Sequence, residues 1–354
     1  MLVVGVTELC NRGCYYCPNP KERSDVSYAG DLMVDSVDEI YREAELIEAA
    51  SACITGGEPL FRLKRTLGYI ESLKSRFGSS FHIHLYTCMN DVAVDTLKDL
   101  YSAGLDEIRF HLHTSDETSG LERALKIPWR VGVEIPCIPS PPGMVPQIVE
   151  KARELGVSFV NLNEFQMAPS NYRILMDRGF RTREPIPELE RIDTDDAESL
   201  KNRLTDIRYL SHMQVTGSFE LAMEILSDSE NWSENDTSIH FCSSNSKFFI
   251  QKVNRDKRRA ASVSYPCDEI TETGRLLFGQ LICRDGEEAE SVTEYLCNSA
   301  GVRPDTIHRA DRIVEIPWYH AARNKRTLME MWPTVSLHIR EVSSYERQNE
   351  SFDR

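Results

Sequence analysis

Three cysteines near the N-terminus form the group of residues with the clearest capacity for chemistry. Cys10, Cys14 and Cys17 are separated by three and then by two residues, directly after the first apolar segment. Three thiolates this close in sequence can converge on one iron–sulfur cluster or one metal ion. A structural zinc ion usually has a fourth Cys or His ligand nearby, and the next cysteine is Cys53. Three thiolates on a [4Fe–4S] cluster would leave one iron open to substrate or cofactor.

The second group is a glycine-rich turn after the second apolar segment, with the sequence Thr55-Gly56-Gly57-Glu58-Pro59. Glycine lets the backbone approach a ligand closely because it has no Cβ atom. Taken alone, this sequence is typical of an ordinary turn. Its position one strand after the cysteines favours ligand binding.

Regular alternation of strands and helices in the first half of the chain would position both groups. Apolar segments recur about every 25 residues and predict six strands. Amphipathic segments between them predict helices, which favours a parallel α/β sheet or an open barrel. The predicted strands are 2–6, 52–55, 81–87, 107–113, 131–137 and 158–163, and the predicted helices are 35–50, 63–77, 92–103 and 146–155.

The strand residues that should face the barrel interior are polar. Where helices cover the outside of a barrel, the apolar side of each strand faces outward and the other side faces inward. Ordinary barrel interiors hold branched aliphatic side chains, so polar groups there imply polar partners or a ligand. A solvated position or internal hydrogen bonding is the alternative, chiefly for His82 and His84 and also for His111, His113 and Glu134. The predicted inward residues are His82, His84, Tyr86, Arg109, His111, His113, Glu134, Asn161 and Asn163.

The Cys-x3-Cys-x2-Cys spacing, with Tyr16 before the third cysteine, resembles the signature of the radical S-adenosylmethionine (SAM) superfamily. The resemblance covers residues 1–165 and implies a partial (β/α)6 TIM-like barrel of the radical SAM type. It implies a [4Fe–4S] cluster on Cys10, Cys14 and Cys17, with SAM bound at the open iron. Reductive cleavage of SAM would yield a 5′-deoxyadenosyl radical that abstracts hydrogen from the substrate.

The same resemblance implies further site residues and a partner. The Gly-Gly-Glu stretch of the superfamily contacts the amino group of SAM, and an electron donor such as ferredoxin or flavodoxin reduces the cluster. We expect SAM-binding roles for Tyr16, Gly56, Gly57, Glu58, Pro59, Thr87 and Asn163. The candidate catalytic residues are Arg109, His111, His113, Glu134 and Cys242.

After residue 165 the alternation stops, and we expect a C-terminal α+β extension over 166–354 that covers or shapes the substrate site. Six basic residues from Lys247 to Arg259 could contact phosphate, or could form a solvated surface. Cys242 is a candidate reactive thiol or a buried one. The expected elements are an irregular connector at 178–196, a helix at 219–226, a loop at 227–237, strands at 239–250 and 276–283, strands or short helices at 305–316 and 334–342, and a loose tail at 348–354.

Three parts of the chain bear on the substrate class. The N-terminal cysteines, residues 161–164 and the stretch from His240 resemble a mainly archaeal, uncharacterised group related to pyruvate formate-lyase activating enzymes. The chain lacks the Asp-Val-Lys strand of true activating enzymes, and residues 109–113 occupy the comparable region. Our leading hypothesis is modification of RNA or protein. The alternatives are small-molecule or cofactor biosynthesis, glycyl-radical activation, and a non-catalytic metal-binding module.

Composition limits the cellular setting. The chain of 354 residues carries a net charge of −15, which disfavours non-specific binding to nucleic acid. It contains no apolar run of about 18 residues, and polar residues begin at Thr7. We therefore expect no membrane segment and a cytoplasmic location, where ten cysteines are more consistent with ligands and buried thiols than with disulfides.

Overall fold

The computed structural model describes residues 1–184, 213–229 and 237–350, without the side chains of the last two. Two compact units divide the chain. The first contains residues 1–44 and 49–248, and the second contains residues 45–48 and 249 onward. Among the described residues, no helix has the length and apolar character that a membrane crossing requires.

A nine-stranded sheet forms the centre of the first unit. Seven strands run parallel, and β2 and β3 add an antiparallel pair at one edge. The six predicted strands are confirmed, and β9 extends the parallel array. In the spatial order β3-β2-β1-β4-β5-β6-β7-β8-β9, they are β1 (Leu2–Gly5), β2 (Ser27–Ala29), β3 (Leu32–Val34), β4 (Ser51–Thr55), β5 (His82–Thr87), β6 (Glu107–Phe110), β7 (Arg130–Cys137), β8 (Phe159–Glu164) and β9 (Ser238–Cys242).

Helices connect the parallel strands of the first unit. A capping box starts the first helix, because the Glu39 amide donates to Ser36 Oγ at 3.3 Å and the Glu39 carboxylate accepts from the Ser36 amide at 3.0 Å. The four predicted helices are confirmed. The helices are α1 (Val37–Leu46), α2 (Leu63–Phe77), α3 (Val94–Ser102), α4 (Ser119–Ala124), α5 (Met144–Glu154), α6 (Tyr172–Asp177) and α7 (Ser218–Ser229), with a 3-10 turn at Pro59–Arg62.

A separate, antiparallel sheet defines the second unit. Its central strand β11 pairs with β10, β13 and β14, and β12 pairs with β13. A π-helical turn, Ser246–Lys252, precedes it. The elements are α8 (Val253–Val263), β10 (Glu269–Ile270), β11 (Leu276–Ile282), α9 (Gly286–Asn298), a 3-10 turn (Pro304–Thr306), β12 (His308–Ala310), β13 (Ile313–Ile316), α10 (Trp318–Met331), β14 (Ser336–Val342) and α11 (Ser344–Glu350).

Several expectations for the C-terminal half need correction. The boundary expected at residue 165 lies inside the first unit, because β9 pairs in parallel with β8. The strand expected at 239–250 ends at Cys242, since Ser243 Oγ accepts from the Ser246 amide and starts a helical turn. Helix α7 continues to Ser229, three residues into the expected loop. The remainder of that loop to residue 236, and residues 185–196 of the expected connector, lie outside the described residues.

The expected loose tail is also partly wrong. Helix α11 begins with a capping box in which the Ser343 amide donates to the Glu346 carboxylate at 2.6 Å, and it continues to Glu350. Arg347 anchors this helix through ion pairs with Asp268 at 2.7 Å and Glu315 at 2.9 Å, and all three side chains are fully buried. Residues 351–354 lie outside the described residues.

Replacing Arg347 with Ala should destabilise the second unit by about 3–5 kcal/mol, because two buried carboxylates lose their counter-charge. Hydrogen exchange of the β11 and β14 amides measures this local stability. The matched control is Arg326→Ala, which removes a highly exposed pair with Glu330 and should change stability by less than about 0.5 kcal/mol. Equal protection in the two variants would contradict a structural role for the buried pairs.

Candidate active site

The loop after β1 brings the three N-terminal cysteines to one cavity. Cys10, Cys14 and Cys17 are half-buried and line a cavity of about 550 Å³ within the first unit. The Cys17 amide donates to the Cys14 carbonyl at 3.1 Å, which makes the loop turn tightly. The cavity lies at the carboxyl ends of the parallel strands, where α/β folds place their ligands.

The donor set at this cavity suits an iron–sulfur cluster. Three thiols line the cavity, and the loop that carries them has no fourth Cys or His close in sequence, which a structural zinc ion usually has. A [4Fe–4S] cluster fits three thiolates.

Three side chains contact the cysteine sulfur atoms. His113 Nε2 lies 2.9 Å from Cys14 Sγ, and the Arg23 guanidinium donates to Cys17 Sγ at 3.3 Å. Cys88 Sγ lies 3.7 Å from Cys10 Sγ. Burial raises the pKa of the Cys14 thiol, and hydrogen-bond donors and positive charge act against that rise by favouring the thiolate form that ligates iron. His113 is one of the candidate catalytic residues of the sequence analysis, whereas Arg23 and Cys88 were not predicted for the site.

The glycine-rich turn packs against the backbone of the cysteine loop. The Gly57 amide donates to the Thr7 carbonyl at 2.6 Å, and the Glu58 amide donates to the Leu9 carbonyl at 2.8 Å. A Cβ atom on Gly57 would lie 2.2 Å from the Glu8 carbonyl oxygen. Glycine is therefore required at position 57 because the turn packs closely against the protein's own cysteine loop. Gly56 and Gly57 also line the cavity.

Glu58 has a different position from the one we expected. Its side chain is fully buried, and Glu58 and its neighbour Pro59 are not among the cavity-lining residues. Its carboxylate accepts hydrogen bonds from the Leu60 amide at 3.0 Å, the Thr87 hydroxyl at 3.0 Å and the Cys88 amide at 2.7 Å. The structure therefore does not support a direct contact of Glu58 with an ammonium group. The carboxylate instead fixes the chain after β5, where Thr87 and Cys88 line the cavity.

A second carboxylate, Glu134 on β7, does line the cavity. It accepts from Arg109 Nη1 at 2.8 Å, Asn161 Nδ2 at 3.0 Å and Asn163 Nδ2 at 2.9 Å. Burial acts to raise the pKa of Glu134, but the hydrogen bond from Asn163 and the Arg109 charge outweigh it, so the pKa is lowered. Arg109 also contacts the Tyr86 hydroxyl at 3.0 Å. These inward contacts are the ones that strand alternation predicts.

His111 and Tyr16 join the cysteine loop to the barrel wall. Burial, assisted by His113, lowers the pKa of His111 to about 4, so its ring is neutral at pH 7. His111 Nδ1 lies 3.2 Å from the Glu134 carbonyl and must be the donor there, because a carbonyl only accepts. Nε2 then accepts from the Tyr16 hydroxyl at 2.9 Å. His111 and Tyr16 therefore hold each other at the cavity wall.

Sequence reasoning placed Lys247 in a basic surface, but the structure places it at the cavity. Lys247 lies on the turn after β9, and burial lowers its pKa while Cys242, Glu134 and Glu164 act to raise it. Cys242 is half-buried and pairs in register with Asn163, but it is not among the cavity-lining residues. The signal that could have found Lys247 is its position just after a parallel strand.

The remaining basic residues are not all available to bind phosphate. Arg259 is 1% exposed, and its guanidinium lies 3.7 Å from the centre of the Tyr345 ring. Lys252 forms an ion pair with Asp256 at 2.8 Å. Lys257 and Arg258 are exposed. Burial of Arg259 therefore removes one charge from the stretch that sequence alone suggested for nucleic acid.

Comparison with known proteins places this arrangement in a family. The family model of the radical SAM superfamily matches residues 4–162. A Methanocaldococcus jannaschii protein, provisionally named a glycyl-radical enzyme activating enzyme, is 32% identical over 308 residues, covering 83% of this chain and 74% of that protein.

Two solved structures share limited similarity with this chain. The radical SAM methyltransferase TsrM of Kitasatospora setae, with cobalamin and a [4Fe–4S] cluster bound, is 11% identical with a TM-score of 0.46, over 73% of this chain and 56% of that one. SuiB of Streptococcus suis, bound to the precursor peptide SuiA, is 14% identical with a TM-score of 0.40, over 69% and 57%. This chain spans little more than half of either.

The chain belongs to the radical SAM superfamily. It is an enzyme whose cofactors are a [4Fe–4S] cluster and SAM, and it requires a reductant. Its chemistry begins with reductive cleavage of SAM to a 5′-deoxyadenosyl radical that abstracts hydrogen. The expected partial (β/α)6 barrel is confirmed, and the alternative of a non-catalytic module is excluded.

Replacing Gly57 with Ala should destabilise the first unit by about 2–3 kcal/mol and lower the iron content after reconstitution, because the methyl group meets the Glu8 and Leu9 carbonyls. Thermal unfolding and iron analysis measure the two effects. The control is Gly68→Ala in α2, where no atom lies within 4 Å of an added Cβ. That variant should gain about 0.5–1 kcal/mol from helix propensity. An unchanged iron content in Gly57→Ala would contradict the proposed constraint.

Proposed function

We propose that this enzyme holds its cluster on Cys10, Cys14 and Cys17 and uses the radical from SAM to modify a segment of a protein substrate. The single observation that supports this best is the continuous cavity, which joins the three thiols to Glu134, on β7 of the barrel wall, and to Lys247. Its volume of about 550 Å³ falls in the range of ligand-binding pockets.

Two opposite charges at the cavity suit a ligand with both an ammonium and a carboxylate group. Glu134 is an anion, and its three side-chain donors leave part of its acceptor capacity unused, since a carboxylate offers about four positions. The ammonium group of Lys247, which also lines the cavity, is the positive charge. We assign Glu134, rather than Glu58, to the ammonium group of a ligand such as SAM, with Asn163 holding Glu134 in place.

The remaining candidate residues have supporting roles in this proposal. Tyr16 and His111 fix the cysteine loop against β6 and β7 through their mutual hydrogen bond. His113 Nε2 lies 2.9 Å from the Cys14 sulfur and, in the tautomer that carries its proton on Nε2, would donate to the thiolate. Arg109 keeps Glu134 ionised. We give Cys242 no catalytic role, because it is not among the residues that line the cavity.

Two observations favour protein over RNA as the substrate. The chain is acidic, with a net charge of −15, and Arg259 of the basic stretch is buried beside Tyr345. The archaeal relative is named for activation of an enzyme, which is a protein substrate. The polar residues on the barrel wall favour a small polar molecule as the second candidate. We propose a ferredoxin or flavodoxin as the electron donor.

The cluster assignment predicts a clear result in product analysis. After anaerobic reconstitution with iron and sulfide, the protein should form 5′-deoxyadenosine from SAM and dithionite, and Cys14→Ala should reduce this product to background. Cys297→Ala is the matched control, since Cys297 is half-buried in α9 and is not among the cavity-lining residues. Product formation by Cys14→Ala at the wild-type rate would contradict the assignment.

The substrate class can be tested by deuterium transfer. Extract from cells grown in deuterated medium is separated into protein, RNA and small-molecule fractions, and each is incubated with the reduced enzyme and unlabelled SAM. Deuterium should appear in 5′-deoxyadenosine with the protein fraction, and prior digestion of that fraction by protease should remove the transfer. Transfer confined to the RNA fraction, or to the small-molecule fraction, would contradict a protein substrate.

A further inference from the structure

The amino-terminal ends of β5 and β6 carry a second group of metal-ligating side chains. His82 and His84 lie two residues apart on β5, so their side chains are on the same face of the sheet. Glu107 on β6 pairs in register with His84. One ligand atom from each of these three residues lies within 4.8 Å of the others. This edge is opposite to the one that carries the cysteine loop.

One ring nitrogen of His84 lacks a partner that its burial requires. The residue is 3% exposed and its Nε2 lies 3.3 Å from the Tyr86 hydroxyl, but no atom of the described residues forms a hydrogen bond with Nδ1. An unpaired buried polar atom costs free energy, so such atoms usually have a ligand, an ion or a water molecule beside them. The neutral imidazole of histidine is the form that binds metals.

Glu107 supplies a negative charge to the same place. It is 2% exposed and accepts from Arg109 Nε at 2.6 Å, and Arg130 Nη1 lies 3.5 Å from its other oxygen. A carboxylate has about four acceptor positions, so these contacts leave room for a metal bond. Carboxylates that bind metals are commonly held by such hydrogen bonds. The two arginines therefore orient the Glu107 carboxylate without using all of its acceptor positions.

His82 provides access from solvent. Its side chain is 41% exposed, and Nδ1 lies 3.9 Å from Asp106. Asp106 itself accepts from Lys74 at 2.7 Å and from the Ile83 amide at 2.7 Å. An ion could therefore reach the group through the exposed imidazole, while His84 and Glu107 form the buried side.

We propose that His82, His84 and Glu107 form a binding site for a divalent transition-metal ion such as Zn²⁺. Two imidazoles and one carboxylate are a donor set typical of zinc sites with one position left to water. Bonds of about 2.0–2.2 Å would draw the three ligand atoms somewhat closer together than they are now. The site contains no thiolate, and its ligands differ from those of the iron–sulfur cluster.

The test uses the reconstituted holoenzyme with its cluster filled. The protein is equilibrated with Zn²⁺, excess metal is removed with a weak chelator, and zinc and iron are counted by mass spectrometry. Wild-type protein should retain about one zinc per chain. His82→Ala and His84→Gln should each weaken zinc binding by more than about 100-fold with iron content unchanged, since even residues that only support ligands contribute 10–100-fold.

Controls separate this site from binding elsewhere. His338→Ala removes an exposed histidine on β14 and should leave zinc retention unchanged. His82 is partly exposed, so its replacement should fold even where His84→Gln does not. X-ray absorption at the zinc edge should show nitrogen and oxygen neighbours without sulfur. Sulfur neighbours, zinc retention in His82→Ala equal to that of wild type, or no retained zinc in cluster-filled wild-type protein would overturn the proposal.

Discussion

The backbone contact between the glycine-rich turn and the cysteine loop is the constraint on which the site depends. The amides of Gly57 and Glu58 donate to the carbonyls of Thr7 and Leu9 and thereby fix the loop just before Cys10. A Cβ atom on Gly57 would lie 2.2 Å from the Glu8 carbonyl oxygen, so this position cannot carry a side chain. The buried Glu58 carboxylate also holds Thr87 and Cys88. The glycine-rich turn, which follows β4, therefore joins the loops that follow β1 and β5.

A chain of charges inside the barrel connects its two edges. Arg109 binds Glu107 near the amino-terminal edge and Glu134 near the cavity, and Glu107 is buried while Glu134 is half-buried. Each buried charge has an opposite partner, which is the condition for burying charges without a large loss of stability. A polar barrel interior is therefore compatible with a stable fold. The positions of its two carboxylates are set by Arg109 as much as by the ligand.

Strand periodicity predicted the barrel well, because alternation of apolar and polar residues is a local property. It placed Arg109, Glu134, Asn161 and Asn163 on one face, and the structure brings them into contact. Local patterns could not show that Glu58 bonds to Cys88, because that contact depends on how two loops meet.

The C-terminal half was harder to predict, because its residues lack a repeating pattern. Lys247 was grouped with a basic run, although the π-helical turn after β9 directs it to the cavity. Arg259 was assigned to a surface, and Arg347 lies just before the expected tail and received no role, yet both are buried. Charged residues are rarely buried without partners, and those partners, such as Asp268 for Arg347, lie far away in sequence.

The central claim is that three cysteines hold a cluster whose open iron binds SAM. The most direct test is electron paramagnetic resonance of the anaerobically reconstituted and reduced protein, recorded with and without SAM. The reduced protein should give the signal of one [4Fe–4S] cluster per chain, with g values that change when SAM is added. A fully assembled cluster whose signal is unaffected by saturating SAM, or a protein that binds zinc in place of iron at these cysteines, would contradict it.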